Sequence, residues 1–171
     1  YDFQRFQNTL PEQEGVRYMS VTVKFNDRDL ENLDNLENDT TEYVEVPYGM
    51  YEVAVAGITY KESKAGNPMA TIRFKVLNGE YKGNSIFYNQ IVDEVWKFKV
   101  VSRLLNSFKT EVDLSSKNYV VDGVVDFDKY KEMLEAVYDD INSKGYEYAL
   151  DYSENAKGWA TYNIIEVFEK E

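Results

Sequence analysis

Hydrophobic and polar positions change their period several times along this chain, and each change marks an element. Met50 to Tyr60 reads as a strand, with Val53 and Val55 on one face and Ala54, Ala56 and Ile58 on the other. Burial on both sides suits part of such a strand. Ser63-Lys64-Ala65-Gly66-Asn67-Pro68 is a turn by composition. Met69 to Leu77 alternates cleanly: Ala70, Ile72, Phe74 and Val76 face one way, Thr71, Arg73 and Lys75 the other. Asn78 to Gly83 closes a hairpin, its Asn-Gly pair suited to positive φ. Asn84 to Val92 is a third strand.

The period then lengthens. Val95, Phe98, Val101, Ser102, Leu105 and Phe108 recur at helical spacing, with Asp93 placed to cap the start. Lys99, Arg103 and Asn106 fall on another face. A second helical run carries Tyr130, Met133, Leu134, Val137, Tyr138 and Ile141, with Gly145 as its stop. Two strands close the chain, Tyr146 to Tyr152 and Trp159 to Phe168, joined by Ser153 to Gly158. The order β-β-β-α-α-β-β is that of an OB barrel. The expected fold is therefore mainly β with inserted helices: an OB-like five-stranded barrel with its helices between strands 3 and 4. An α+β meander with the same element order remains the alternative.

Residues 1–45 read as an N-terminal extension and residues 46–171 as the OB-like binding domain. In the extension, Val16 to Phe25 alternates as a strand would. Asp27 to Glu45 is acidic and poor in apolar residues, a composition for a solvated loop or linker. Leu30, Leu33 and Leu36 suit one helical turn within it. The opening residues Tyr1 to Phe6 do not read as a signal peptide.

Composition narrows the chemistry. The chain has no cysteine and no histidine. It therefore lacks disulfides, thiol nucleophiles, cysteine-type zinc sites and the commonest general base. Freedom from cysteine fits a reducing cytoplasm. No apolar run reaches the length of a membrane span. The formal net charge of −12 argues against a nucleic-acid partner at first sight. That total hides segregation. Between Tyr51 and Thr110 nine basic residues stand against five acidic ones, so this stretch is at +4 and the remainder at −16. Local charge decides association, because salt screens beyond about 10 Å.

Val46 to Val53, Lys61 to Met69, Asn78 to Gly83 and Lys157 to Tyr162 with Ile165 to Phe168 together resemble an uncharacterised family of bacteriophage and prophage early proteins, labelled single-stranded-DNA-binding-like. Val46-Pro47-Tyr48-Gly49-Met50-Tyr51-Glu52-Val53 resembles its opening block. Lys61 to Met69 is similar to its next block and is the most specific part. Asn78 to Gly83 resembles its second hairpin. Lys157 to Tyr162, followed by Ile165 to Phe168, resembles its closing strand. The resemblance covers roughly Val46 to Glu169. It implies an OB-like fold, single-stranded DNA binding in phage replication or recombination, and a bacterial cytoplasm.

A sequence-tolerant single-strand binder needs cations for phosphates and aromatic faces for bases. Lys61, Lys64, Arg73, Lys75 and Lys157 are the expected phosphate contacts. Tyr60, Tyr88 and Trp159 are the expected stacking residues. The first loop, second strand and last loop should converge on one groove. Each residue has a plainer reading as solvated surface or as core. No cofactor is implied. Expected partners are single-stranded DNA and phage replication or recombination proteins, and a homo-oligomer is compatible with the pattern. Two other classes stay open. Fifteen tyrosines and an acidic surface suit a protein–protein adaptor. Asp122, Asp126 and Asp128, or Asp139 and Asp140, would serve a carboxylate-metal nuclease, although Asp126 and Asp128 also suit a helix start.

Overall fold

A computed structural model describes residues 44–170. The expected strand Val16 to Phe25, the helical turn at Leu30, Leu33 and Leu36, and nearly all of the acidic segment lie outside the described residues. One compact unit, Glu45–Glu171, holds every element below.

Five strands form one antiparallel sheet: β1 (Gly49–Glu62), β2 (Pro68–Val76), β3 (Ser85–Ile91), β6 (Glu147–Glu154) and β7 (Ala160–Phe168). Their order across the sheet is β3-β2-β1-β6-β7. Two helices, α1 (Val95–Asn106) and α2 (Phe127–Lys144), stand between β3 and β6. The two-residue strands β4 (Val120–Val121) and β5 (Val124–Val125) form a separate hairpin between the helices. Its turn is Asp122-Gly123, both at positive φ, which matches the twist of a tight hairpin. The sheet is not closed into a barrel by backbone pairing, since β3 and β7 remain its two edges. Among the described residues no helix is long and apolar enough to cross a membrane.

The inner face of the sheet is the core. Ala70, Ile72, Phe74 and Val76 alternate inward from β2, and Ile86 and Tyr88 from β3. Tyr148 and Leu150 join them from β6. Burial of each large apolar side chain contributes roughly 1.5–3 kcal/mol. α2 packs against β1 and brings Tyr130, Met133, Leu134, Val137 and Ile141 to the same cluster. α1 contributes Val101, Leu104 and Leu105. The Tyr148 hydroxyl donates to the Phe108 carbonyl at 2.9 Å, so this buried polar group is satisfied.

Two local expectations are corrected. Strict alternation would put Ile58 opposite Val55. Instead the register shifts between Val55 and Gly57, and Ile58 is buried at 3% exposure with Val53 and Val55. The extra residue, Ala56, is a β-bulge. At α1, Asp93 does not cap the helix. Glu94 occupies that position without a side-chain cap, and Asp93 pairs with Lys97 at 2.7 Å one turn on. α2 is capped by side chain: Asp126 accepts from the backbone N–H of Asp128 and Lys129, and Gly145 ends the helix at φ 67°.

Candidate nucleic-acid interface

The helices cover only the inner face, so the outer face of β1, β2 and β3 presents its own row pattern. Register places Lys61, Met69 and Ile91 in one row, then Thr59, Thr71 and Asn89, then Gly57, Arg73 and Phe87, then Lys75 beside Ser85. The β2–β3 pairs on this face are the close ones. Val76 N–H donates to Asn84 and Val92 N–H to Pro68, so ladder bonds alternate and fall on the inward pairs. The outward pairs are non-hydrogen-bonded, with Cα atoms about 4.5 Å apart and side chains in contact range. The Thr71 hydroxyl donates to Asn89 Oδ1 at 2.9 Å, as such a pair allows.

The Gly57–Arg73–Phe87 row has three properties useful to a flat anionic ligand. Phe87 is 45% exposed although it is a large aromatic. Arg73 donates through Nε to Ser85 Oγ at 3.0 Å, which orients the guanidinium and leaves its terminal nitrogens unpartnered among the described residues. Gly57, across from Arg73 in the ladder, would have nothing within 4 Å of an added Cβ, so open space lies over β1 in this row. No Asp or Glu occurs in 57–61, 69–75 or 85–91. The first carboxylate met along β1 toward its start is Glu52, which accepts from Asn78 Nδ2.

The expected phosphate contacts are placed as follows. Lys61, Arg73 and Lys75 are exposed on this outer face. Lys64 is exposed in the β1–β2 turn. That turn is held by Ser63 N–H to Asn67 O and Gly66 N–H to Ser63 O, both 2.8 Å. Lys157 is exposed in the β6–β7 turn. None of the five has an ion-pair partner among the described residues, whereas Lys97, Lys109, Lys117, Lys144 and Lys170 are all paired.

The stacking residues divide. Trp159 is 69% exposed at the end of a locked turn. Asn155 Oδ1 accepts from Lys157 N–H at 2.9 Å and from Trp159 N–H at 3.0 Å. Tyr88 is core: it is 7% exposed, and burial pushes its phenol up to about 12. Tyr60 also belongs to the inner face, where its ring stacks on Phe127 at 5.2 Å. Burial, then Glu62 and Asp128, raise its pKa. Neither tyrosine presents a ring on the outer face. Phe87 does, and sequence reasoning passed over it. The alternation of Ile86 and Tyr88 inward was the available signal.

The two loops do not converge as expected. The β1–β2 turn follows Glu62, at the end of β1, while Tyr152 of β6 pairs with Gly49 at its start. The β6–β7 turn therefore lies off the opposite end of β1. The five cations are therefore not gathered in one cluster: Lys61 and Lys64 lie toward one end of β1 and Lys157 toward the other.

Two of the acidic groups considered for metal, Asp126 and Asp140, have structural partners. Asp126 caps α2. Asp140 Oδ2 accepts from Thr110 Oγ1 and Glu111 N–H, both 2.8 Å, and its other oxygen pairs with Lys144. No group of three or more metal-ligating side chains gathers among the described residues.

The family described as "Protein of unknown function (DUF669)" matches residues 32–144. That span includes the whole outer face of β1, β2 and β3 and stops before β6 and β7. No curated protein matches the chain.

Proposed function

We propose, for a chain that belongs to the DUF669 family, sequence-tolerant binding of single-stranded DNA along the outer face of β1, β2 and β3. The observation that carries this reading is the acid-free Gly57–Arg73–Phe87 row, flanked by Lys61 and Lys75. It offers an exposed ring for a base, a guanidinium for a phosphate and open space over β1. Every base has a π-face, so stacking tolerates sequence. The strand order β3-β2-β1-β6-β7, with helices between the third and fourth long strands, supports reading the sheet as a partly open OB barrel. Such barrels bind oligonucleotides on the face of strands 2 and 3. Lys64 lies toward one end of β1, and Lys157 and Trp159 toward the other. The setting we attach to this activity, from the resemblance of Val46 to Val53 and Lys61 to Met69, is phage or prophage replication or recombination in a bacterial cytoplasm.

Fluorescence anisotropy with a labelled oligo-dT of about 30 nucleotides tests it, a length that exceeds the site of one OB fold. Expected are binding to the single strand that weakens with salt, weak binding to duplex, and loss of affinity in Phe87→Ala and Trp159→Ala. Absence of binding at low salt sinks the reading. A protein-binding adaptor is the second reading, favoured by exposed Val95, Trp96, Val121 and Val124. It requires association that is nearly indifferent to salt.

A further inference from the structure

We infer that Tyr162 is a positioning residue for the Phe87 platform, its hydroxyl tying the two open edges of the sheet together at the ligand row. This rests on the proposed single-strand binding. Within an antiparallel ladder the N–H and C=O of one residue point the same way. Phe87 is in a non-hydrogen-bonded pair with Arg73, so both its backbone groups point away from β2, toward the open edge of the sheet. There the Tyr162 hydroxyl of β7 donates to the Phe87 carbonyl at 2.7 Å. No backbone pairing joins β3 to β7.

The donor is itself fixed. The Tyr162 ring meets Tyr88 edge-on at 5.0 Å, Tyr152 at 5.3 Å and Phe74 at 6.4 Å. Its hydroxyl therefore reaches β3 from a ring packed on three sides. The Phe87 peptide is held by its ladder neighbours in β2 on one flank and by Tyr162 on the other. That fixes the direction in which the Phe87 ring leaves the sheet. A platform ordered before the ligand arrives loses less freedom on binding.

Tyr162→Phe keeps the ring and removes only the donor. Oligo-dT affinities of wild type, Y162F, F87A and the double variant form a cycle, measured well below every melting point. F87A is expected to weaken binding about 5- to 150-fold, the loss of one stacked base. Y162F is expected to weaken it about two- to tenfold, the loss of one hydrogen bond. In the double variant the Y162F change should add nothing to F87A, and its salt dependence should match that of wild type. In the free protein, NMR should show the Phe87 carbonyl shifted and its ring more mobile in Y162F. Effects of Y162F and F87A that multiply independently, or an unaltered Phe87 ring, overturn the inference. If wild type fails to bind oligo-dT, the functional reading falls, and the Phe87 ring dynamics alone decide whether Tyr162 orders the platform.

Discussion

Replacing Arg73 by alanine separates a phosphate contact from a structural one. The folded protein loses a single exposed hydrogen bond, Nε to Ser85 Oγ. That costs less than about 1 kcal/mol, a shift of a few degrees in Tm. The binding effect is larger and has a signature. With Lys61, Lys64, Arg73, Lys75 and Lys157 each neutralising one phosphate, the slope of log affinity against log salt is about −3.5 on single strands. Affinity then falls about 100-fold between roughly 50 and 200 mM salt. Without Arg73 the slope becomes about −2.8, and the same interval costs about 50-fold. The assay is anisotropy at four or five salt concentrations, with thermal melts of both proteins. Weaker binding with an unchanged slope would mean that Arg73 contacts no phosphate and acts on Phe87 or the fold. Unchanged affinity would remove the row from the interface altogether.

Other substitutions probe the frame around this face. Tyr88→Phe removes a buried hydroxyl that has no hydrogen-bond partner among the described residues, so urea unfolding should show equal or greater stability and oligo-dT affinity should not move. Asp126→Ala removes the cap of α2 and should cost about 0.5–2 kcal/mol by chemical denaturation, with affinity preserved. Asp140 has its pKa lowered: burial alone would raise it, and hydrogen bonds from Glu111 N–H, Thr110 and Lys144 outweigh that. A depressed carboxylate stabilises above its unfolded pKa of about 4, and the contribution disappears as pH falls through the folded value. Asp140→Asn should therefore be less stable at neutral pH and lose less stability on acidification, read from melts between about pH 7 and pH 3.

Much of the frame was legible because local chemistry and tertiary context agree. The alternation of Ala70, Ile72, Phe74 and Val76, the Asn78-Gly79 turn and the Gly145 stop all keep the roles their residue types suggest. The failures share one cause, a face assigned without its neighbours. Tyr60 and Tyr88 were read as outward platforms because tyrosine suits stacking, yet their inward positions pack them against Phe127 and Tyr162. Phe87 was missed because an exposed phenylalanine runs against its usual burial. The hairpin Val120 to Val125 carries an Asp-Gly turn signal, but its two-residue strands are too short to show alternation. The tie from Tyr162 to Phe87 was beyond reach, since a hydroxyl–carbonyl contact across 75 residues leaves no local trace. The loops at opposite ends of β1 were equally hidden, because register between β1 and β6 is a long-range property.

The bulge at Ala56 decides which face each later residue of β1 presents. Pairing the same residues without the bulge would rotate everything from Gly57 to Glu62 by half a turn. Ile58 would then face water, while Thr59 and Lys61 would face the core. Ala56 would then stand opposite Arg73 in place of Gly57. Deletion of Ala56 should therefore be tolerated in a thermal melt, because it leaves Val55 opposite Phe74, Gly57 opposite Arg73 and Ile58 in the core.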